Sequence, residues 1–176
     1  TCALCRNVSG NNNTAVGICA LDSHESGNSN TAVGSFSLAS NTTASDNVAV
    51  GSNTLNSNTT GTCNTAMGRY ALTTNTTASK NTAYGHQSLT LNTIGAENVA
   101  VGFLAGACNT EGNNNTSLGV QALRKNVTTS NNVAVGTLAL CANLGCRNTA
   151  VGSCALKNNT TGTHNVASGF TSLNAN

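Results

Sequence analysis

Small apolar and polar side chains return along this chain on a fixed beat. The pentapeptide Asn-[Thr/Val]-Ala-Val-Gly, or a near copy, opens at Asn13, Asn30, Asn47, Asn64, Asn81, Asn98, Asn115, Asn132, Asn148 and Asn165. Every interval is 17 residues except the 16 between Asn132 and Asn148, where the missing residue falls around Leu144-Gly145-Cys146. With that Asn as position 1, positions 2 to 5 alternate between small and larger side chains, which predicts a short β-strand. Positions 7 to 9 predict a second short strand ending at a leucine. The Asn-Thr-Thr-Gly that follows is turn chemistry.

The columns are strict. Position 5 is glycine in all ten copies (Gly17, Gly34, Gly51, Gly68, Gly85, Gly102, Gly119, Gly136, Gly152, Gly169), which predicts a tight bend or a close approach of backbones. Position 3 is Ala except at Ser117, position 9 is Leu except at Gly106, and position 12 is Asn except at His24. Position 4 is mostly Val, with Met67, Tyr84, Leu118 and Ser168 as variants. Like residues stacked coil on coil predict an all-β fold, a parallel β-solenoid or β-roll of about ten 17-residue coils. Stacked asparagines gain hydrogen bonds along the ladder, as in cross-β stacks. At roughly 4.8 Å per coil the rod is about 48 Å long.

The whole chain, 1–176, reads as one repeat domain: a partial coil over 1–12, full coils over 13–164 and a partial coil over 165–176. The repeat runs uncapped to both ends. Stacked repeats need atypical terminal units, so continuation by more of the same polypeptide or by another subunit is expected.

Composition narrows the picture. With no Pro, no Trp, 3% aromatic residues and apolar positions held mostly by Ala, Val and one Leu per coil, the core must be thin. Seven basic and five acidic residues give a net charge of +2, and Arg6, Arg69, Lys80, Lys125 and Arg147 are scattered, so nucleic-acid binding is not expected. No apolar run approaches the ~20 residues that span a bilayer, so neither is membrane insertion. Eight cysteines in so polar a chain point to an oxidising compartment.

The pattern N-T-A-V-G-x-x-A-L-x-x-N-T-T-G resembles the NTAVG-type repeats of phage and large-virus tail-fibre proteins. It is also similar to the head repeats of trimeric autotransporter adhesins, whose units carry an S-V-A-I-G core. The resemblance extends over all 176 residues. It implies a left-handed parallel β-roll or related solenoid, commonly trimeric, in a surface fibre or adhesin. A single-chain solenoid stacking end to end stays open beside the trimer.

Register suggests partners for the cysteines. Cys2 and Cys19 both fall at position 7, one coil apart, which makes them the first expected disulfide. Cys141 pairs in expectation with Cys146 across the shortened coil, or with Cys154 one coil on. Cys5, Cys63 and Cys108 are expected to be free or to link chains. Sequons occur at Asn7, Asn12, Asn41, Asn58, Asn75, Asn114, Asn115, Asn126, Asn158 and Asn159. Six of these (Asn7, Asn41, Asn58, Asn75, Asn126, Asn159) share position 12, which predicts a line of glycans along one edge.

Catalysis finds no constellation. His24, His86 and His164 occupy different repeat positions, and Asp22, Glu25, Asp46, Glu97 and Glu111 form no acid–base pair in the repeat. No recurring Asp marks a calcium roll and no ligand spacing marks zinc, so neither a metal nor a cofactor is expected. The residues therefore predict a non-catalytic structural subunit of an extracellular, virion-surface or cell-surface fibre that self-associates, carries glycans and serves adhesion. The alternatives are a solenoid that binds ice or glycan, or a receptor-binding viral fibre segment.

Overall fold

Each coil contributes one three-residue strand, the Thr/Val-Ala-Val segment at positions 2 to 4. In the computed structural model, which describes residues 2–174, these strands are β1 (Thr14–Val16), β2 (Thr31–Val33), β3 (Val48–Val50), β4 (Thr65–Met67), β5 (Thr82–Tyr84), β6 (Val99–Val101), β7 (Thr116–Leu118), β8 (Val133–Val135), β9 (Thr149–Val151) and β10 (Val166–Ser168). They form one parallel sheet in the order β1 to β10, and like pairs with like: Ala15 with Ala32, Ala32 with Ala49. The chain is a β-solenoid, all-β, with no helix among the described residues. Thr1, Ala175 and Asn176, at the outer ends of the expected partial coils, lie outside the described residues.

The expected second strand is absent. Positions 7 and 9 are both left-handed, as is position 17, with φ between 46° and 62°. A strand needs negative φ, so two left-handed residues two positions apart curl the backbone into a turn instead. The same geometry explains a choice the repeat makes. Among the described left-handed residues only Thr171 is β-branched, because a branched Cβ is the most penalised there. Leucine, not valine or isoleucine, therefore fills position 9. Left-handed backbone costs roughly 1–2 kcal/mol per residue. Full burial of a leucine contributes about 1.5–3 kcal/mol, and the ladder adds hydrogen bonds such as Leu21 N–H to the Ser37 carbonyl at 3.0 Å. Burial wins.

The interior holds three kinds of column. Position-3 alanines and position-9 leucines supply the apolar part, beside small residues at position 8 such as Ala20, Ser37 and Thr54. Two asparagine columns, at positions 1 and 12, are buried with them. Their amides converge: the Gly61 carbonyl accepts both Asn47 Nδ2 and Asn58 Nδ2 at 2.9 Å. Each also reaches back one coil, as Asn75 Nδ2 does to Asn58 Oδ1 at 2.8 Å. A buried amide left unpaired costs about 1–3 kcal/mol, so these columns hold register as firmly as the leucines do.

Two departures from the repeat mark the core. Gly106 takes the leucine position in one coil, and the buried apolar residues divide there into a cluster from Ala20 to Ala105 and another from Ala122 to Ala167. In the coil shortened by one residue, the turn absorbs the loss: Asn143 Nδ2 donates to Gly145 two residues on, where other coils reach three. The strands keep register across it, Val133 pairing with Thr149. The position-12 ladder does break, because Asn126 Oδ1 takes the Thr129 hydroxyl; it resumes where Asn159 Nδ2 donates to Asn143 Oδ1 at 2.7 Å.

Candidate interaction surface

Strand alternation sends position 3 inward and positions 2 and 4 outward. Past them, the position-5 glycines adopt φ between 118° and 135° and turn the chain. The expectation of close approach holds at each interior copy: a Cβ on Gly68 would stand 2.6 Å from the Gly85 carbonyl. The outward face is thus a flat strip of Thr/Val at position 2 and mostly Val at position 4, then a bare glycine track, then position 6.

In the middle of the rod this strip changes character. Position 4 carries Met67 and Tyr84, and position 6 carries Arg69, His86 and Phe103 where the other coils have Ile18, Ser35, Ser52, Val120, Thr137, Ser153 and Phe170. His86 stacks on Phe103 with ring centroids 5.7 Å apart and 17° between planes, and meets Tyr70 edge-on at 6.3 Å. The Arg69 guanidinium lies 4.5 Å from the Tyr70 ring centre, and its Nη2 donates to Tyr70 Oη at 3.0 Å. Beside them is a shallow groove of about 250 Å³ lined by Val50, Met67, Gly68, Tyr84 and Gly85. Tyr84 is 55% exposed and Phe103 44%. Reading the histidines by repeat position isolates His86 and hides this group. The legible signal was the run of bulky variants at positions 4 and 6 in successive coils.

The cysteines arrange themselves otherwise than expected. Cys2 is bonded to Cys5, three residues on, with Cα atoms 5.7 Å apart, and Cys19 is a free thiol. Equivalent residues of in-register parallel coils leave the backbone in the same direction, so their thiols run side by side instead of converging. A turn does bring side chains three apart together. Cys5 is therefore neither free nor interchain. The expected pairings of Cys141 with Cys146 or Cys154 do not form either, and those three, with Cys63 and Cys108, are free thiols. Cys141 is buried while Cys146 is half-buried beyond the Asn143 turn. Burial pushes the Cys141 thiol pKa up, against the pull of Arg124, Lys125 and Lys157.

The position-12 sequons are also corrected. Asn41, Asn58, Asn75, Asn126 and Asn159 are buried members of the amide ladder, and Asn115 is buried in the position-1 column. A glycan on any of them would displace the ladder. Asn7 is half-buried, its Nδ2 donating to the Gly10 carbonyl at 3.0 Å. Asn12, Asn114 and Asn158 are exposed.

Among the described residues no group of three or more His, Cys, Asp and Glu side chains is placed to hold a metal ion. No described helix is long and apolar enough to cross a membrane. The Lys80–Glu97 pair, 3.2 Å apart on adjacent coils, is exposed and contributes little. No protein-family model matches the chain, and no curated protein or solved structure is significantly similar to it.

Proposed function

We propose that this chain is a rod-forming segment of an extracellular fibre or filament whose lateral face serves adhesion. The observation that carries the reading is the constant cross-section: ten strands in one register, with the same Ala, Leu and Asn columns filling coil after coil. Such a body supplies length rather than an enclosed cleft. The outer edges of β1 and β10 present the same backbone ladder that joins the coils within the rod. Either edge takes a further coil, whether the same polypeptide or another copy supplies it. Joined copies make a heterologous contact that does not close on itself, the condition for a filament. A homotrimer is the competing assembly.

The Cys2–Cys5 disulfide favours an oxidising, cell- or virion-surface setting. Asn12, Asn114 and Asn158 are the acceptors we assign for N-glycans in a secreted chain, since they alone among the sequons are exposed. Electron microscopy of the native material tests the assembly. Long filaments one coil wide are expected, and short rods or trimers at every concentration would sink the filament. Peptide mapping with and without glycosidase tests the glycans, which should sit on those three residues and never on Asn58.

A further inference from the structure

The ten coils of this rod are their own baseline. A position that merely builds the coil repeats, so a run of departures confined to one face and to neighbouring coils calls for another cause. Bulky side chains also stand at these positions elsewhere (Ile18, Leu118, Val120 and Phe170), but the aromatic, thioether and cationic ones cluster on the coils opening at Asn64, Asn81 and Asn98: Met67 and Tyr84 at position 4, and Arg69, His86 and Phe103 at position 6. Both tyrosines of the chain lie there. None of these five side chains is needed to close a coil, because other coils close with valine and serine in their places.

We propose that the groove floored by Gly68 and Gly85 binds a neutral saccharide, one pyranose ring laid against Tyr84 and its neighbours following the glycine track along the rod. The inference deepens the adhesive part of the fibre reading and does not depend on filament assembly.

Size selects a small ligand. The groove holds about 250 Å³ and is lined by five residues, whereas a stable protein interface takes roughly 20–30 residues a side. The lining selects its chemistry. Aromatic and thioether walls at Tyr84 and Met67 offer an apolar surface, while the Tyr84 hydroxyl and the hydroxyls of Thr65 and Thr82, two residues back on the same outward strand faces, offer hydrogen bonds. A pyranose has the matching form, with C–H faces and hydroxyl edges. Apolar walls with few placed polar groups are the usual make-up of a small-molecule site.

Charge selects a neutral ligand. No Asp or Glu falls at positions 2 to 7 of any coil, and Arg69 is the only Lys or Arg that does. Its guanidinium is already held on Tyr70. Periodicity selects a polymer, because the glycine track continues past the groove through Gly102 and Gly119 at the same spacing.

The chain contains no Trp, and its two Tyr residues both lie in this patch, so intrinsic tyrosine emission reports on it directly. Titration with cellotetraose, mannotetraose and chitotetraose is expected to give a saturable change with at least one of them. Calorimetry should show Tyr84→Ala weakening that binding about tenfold or more, the loss of one aromatic anchor. Phe36→Ala, an exposed aromatic on another coil, should bind as the parent does. Failure of all three sugars at millimolar concentration overturns the proposal, as does undiminished binding by Tyr84→Ala. So does a Tyr84→Ala protein that merely loses self-association in light scattering, which would make the groove a contact between copies. Filaments that persist in a chain binding no sugar would leave the fibre reading standing and remove only this one.

Discussion

His24 accepts the side-chain amide of Asn41 at Nδ1, 2.9 Å away, and so stands in the column that asparagine fills in the coils beyond it. Its Nε2 lies 2.8 Å from the Gly27 carbonyl, the contact that Asn41 Nδ2 makes to Ala44 in the next coil. With the proton on Nε2, the ring reproduces both roles of the amide. His24→Asn should therefore leave stability within about 0.5 kcal/mol of the parent in urea denaturation, as for a change that breaks no contact. His24→Leu should lose about 1–3 kcal/mol by leaving one amide hydrogen of Asn41 without its buried acceptor. Equal effects of the two substitutions would show that the ladder contact contributes nothing.

Leu72 tests the left-handed turn. It is buried at φ 50°. Leu72→Met keeps an unbranched Cβ and should cost less than about 1.5 kcal/mol. Leu72→Ile has the volume of leucine but a branched Cβ in the left-handed region, and should cost about 1–2 kcal/mol more than the Met variant. Thermal denaturation of the two proteins side by side decides it, and matching midpoints would refute the backbone argument.

Gly106 interrupts the leucine column, and a Cβ there would lie 3.0 Å from Leu89 Cδ2 and 3.4 Å from Ser117 Oγ. The first is the far end of a flexible side chain. Gly106→Leu combined with Ser117→Ala restores the consensus at both places and should join the two apolar clusters. A gain of up to about 1.5–3 kcal/mol is expected from the buried leucine. Urea unfolding should sharpen as well, since repeat stacks unfold cooperatively only while neighbouring units are coupled. A lowered midpoint would mean that the gap is already filled by repacking.

Cys141 gives the rod a dependence on alkaline pH. Burial raises its thiol pKa above that of the unfolded chain, so the folded state holds the proton more tightly. This contribution is fully present below the ordinary thiol pKa of about 8.5 and is lost as pH rises through the higher folded value. Stability should therefore fall at high pH, and Cys141→Ala should flatten that part of the profile. Alkylation with iodoacetamide supplies a second reading: exposed Cys63 should react first and Cys141 last.

The extent to which the fold was legible follows from stacking. A parallel in-register repeat places each residue beside its own kind, so the 17-residue beat alone determined the coil, the inward Ala15-to-Ala167 column, the leucine column and the glycine bend. It also located the shortened coil at Leu144 and Gly145, because a lost residue shifts every later copy by one.

Direction and depth were decided only by the tertiary structure. Leu21 and Cys19 look like strand residues in sequence, yet both are left-handed, since it is the closed coil that requires the turn. Asn58 reads equally well as a glycan acceptor or a ladder rung; its burial between Asn41 and Asn75 selects the rung. Cys2 and Cys19 share a position, but parallel stacking aims their thiols alike, and the local turn gives Cys2 to Cys5 instead. Tyr84, His86 and Phe103 are separate variants along the chain. Winding 17 residues into each coil brings them onto one face, where His86 stacks on Phe103.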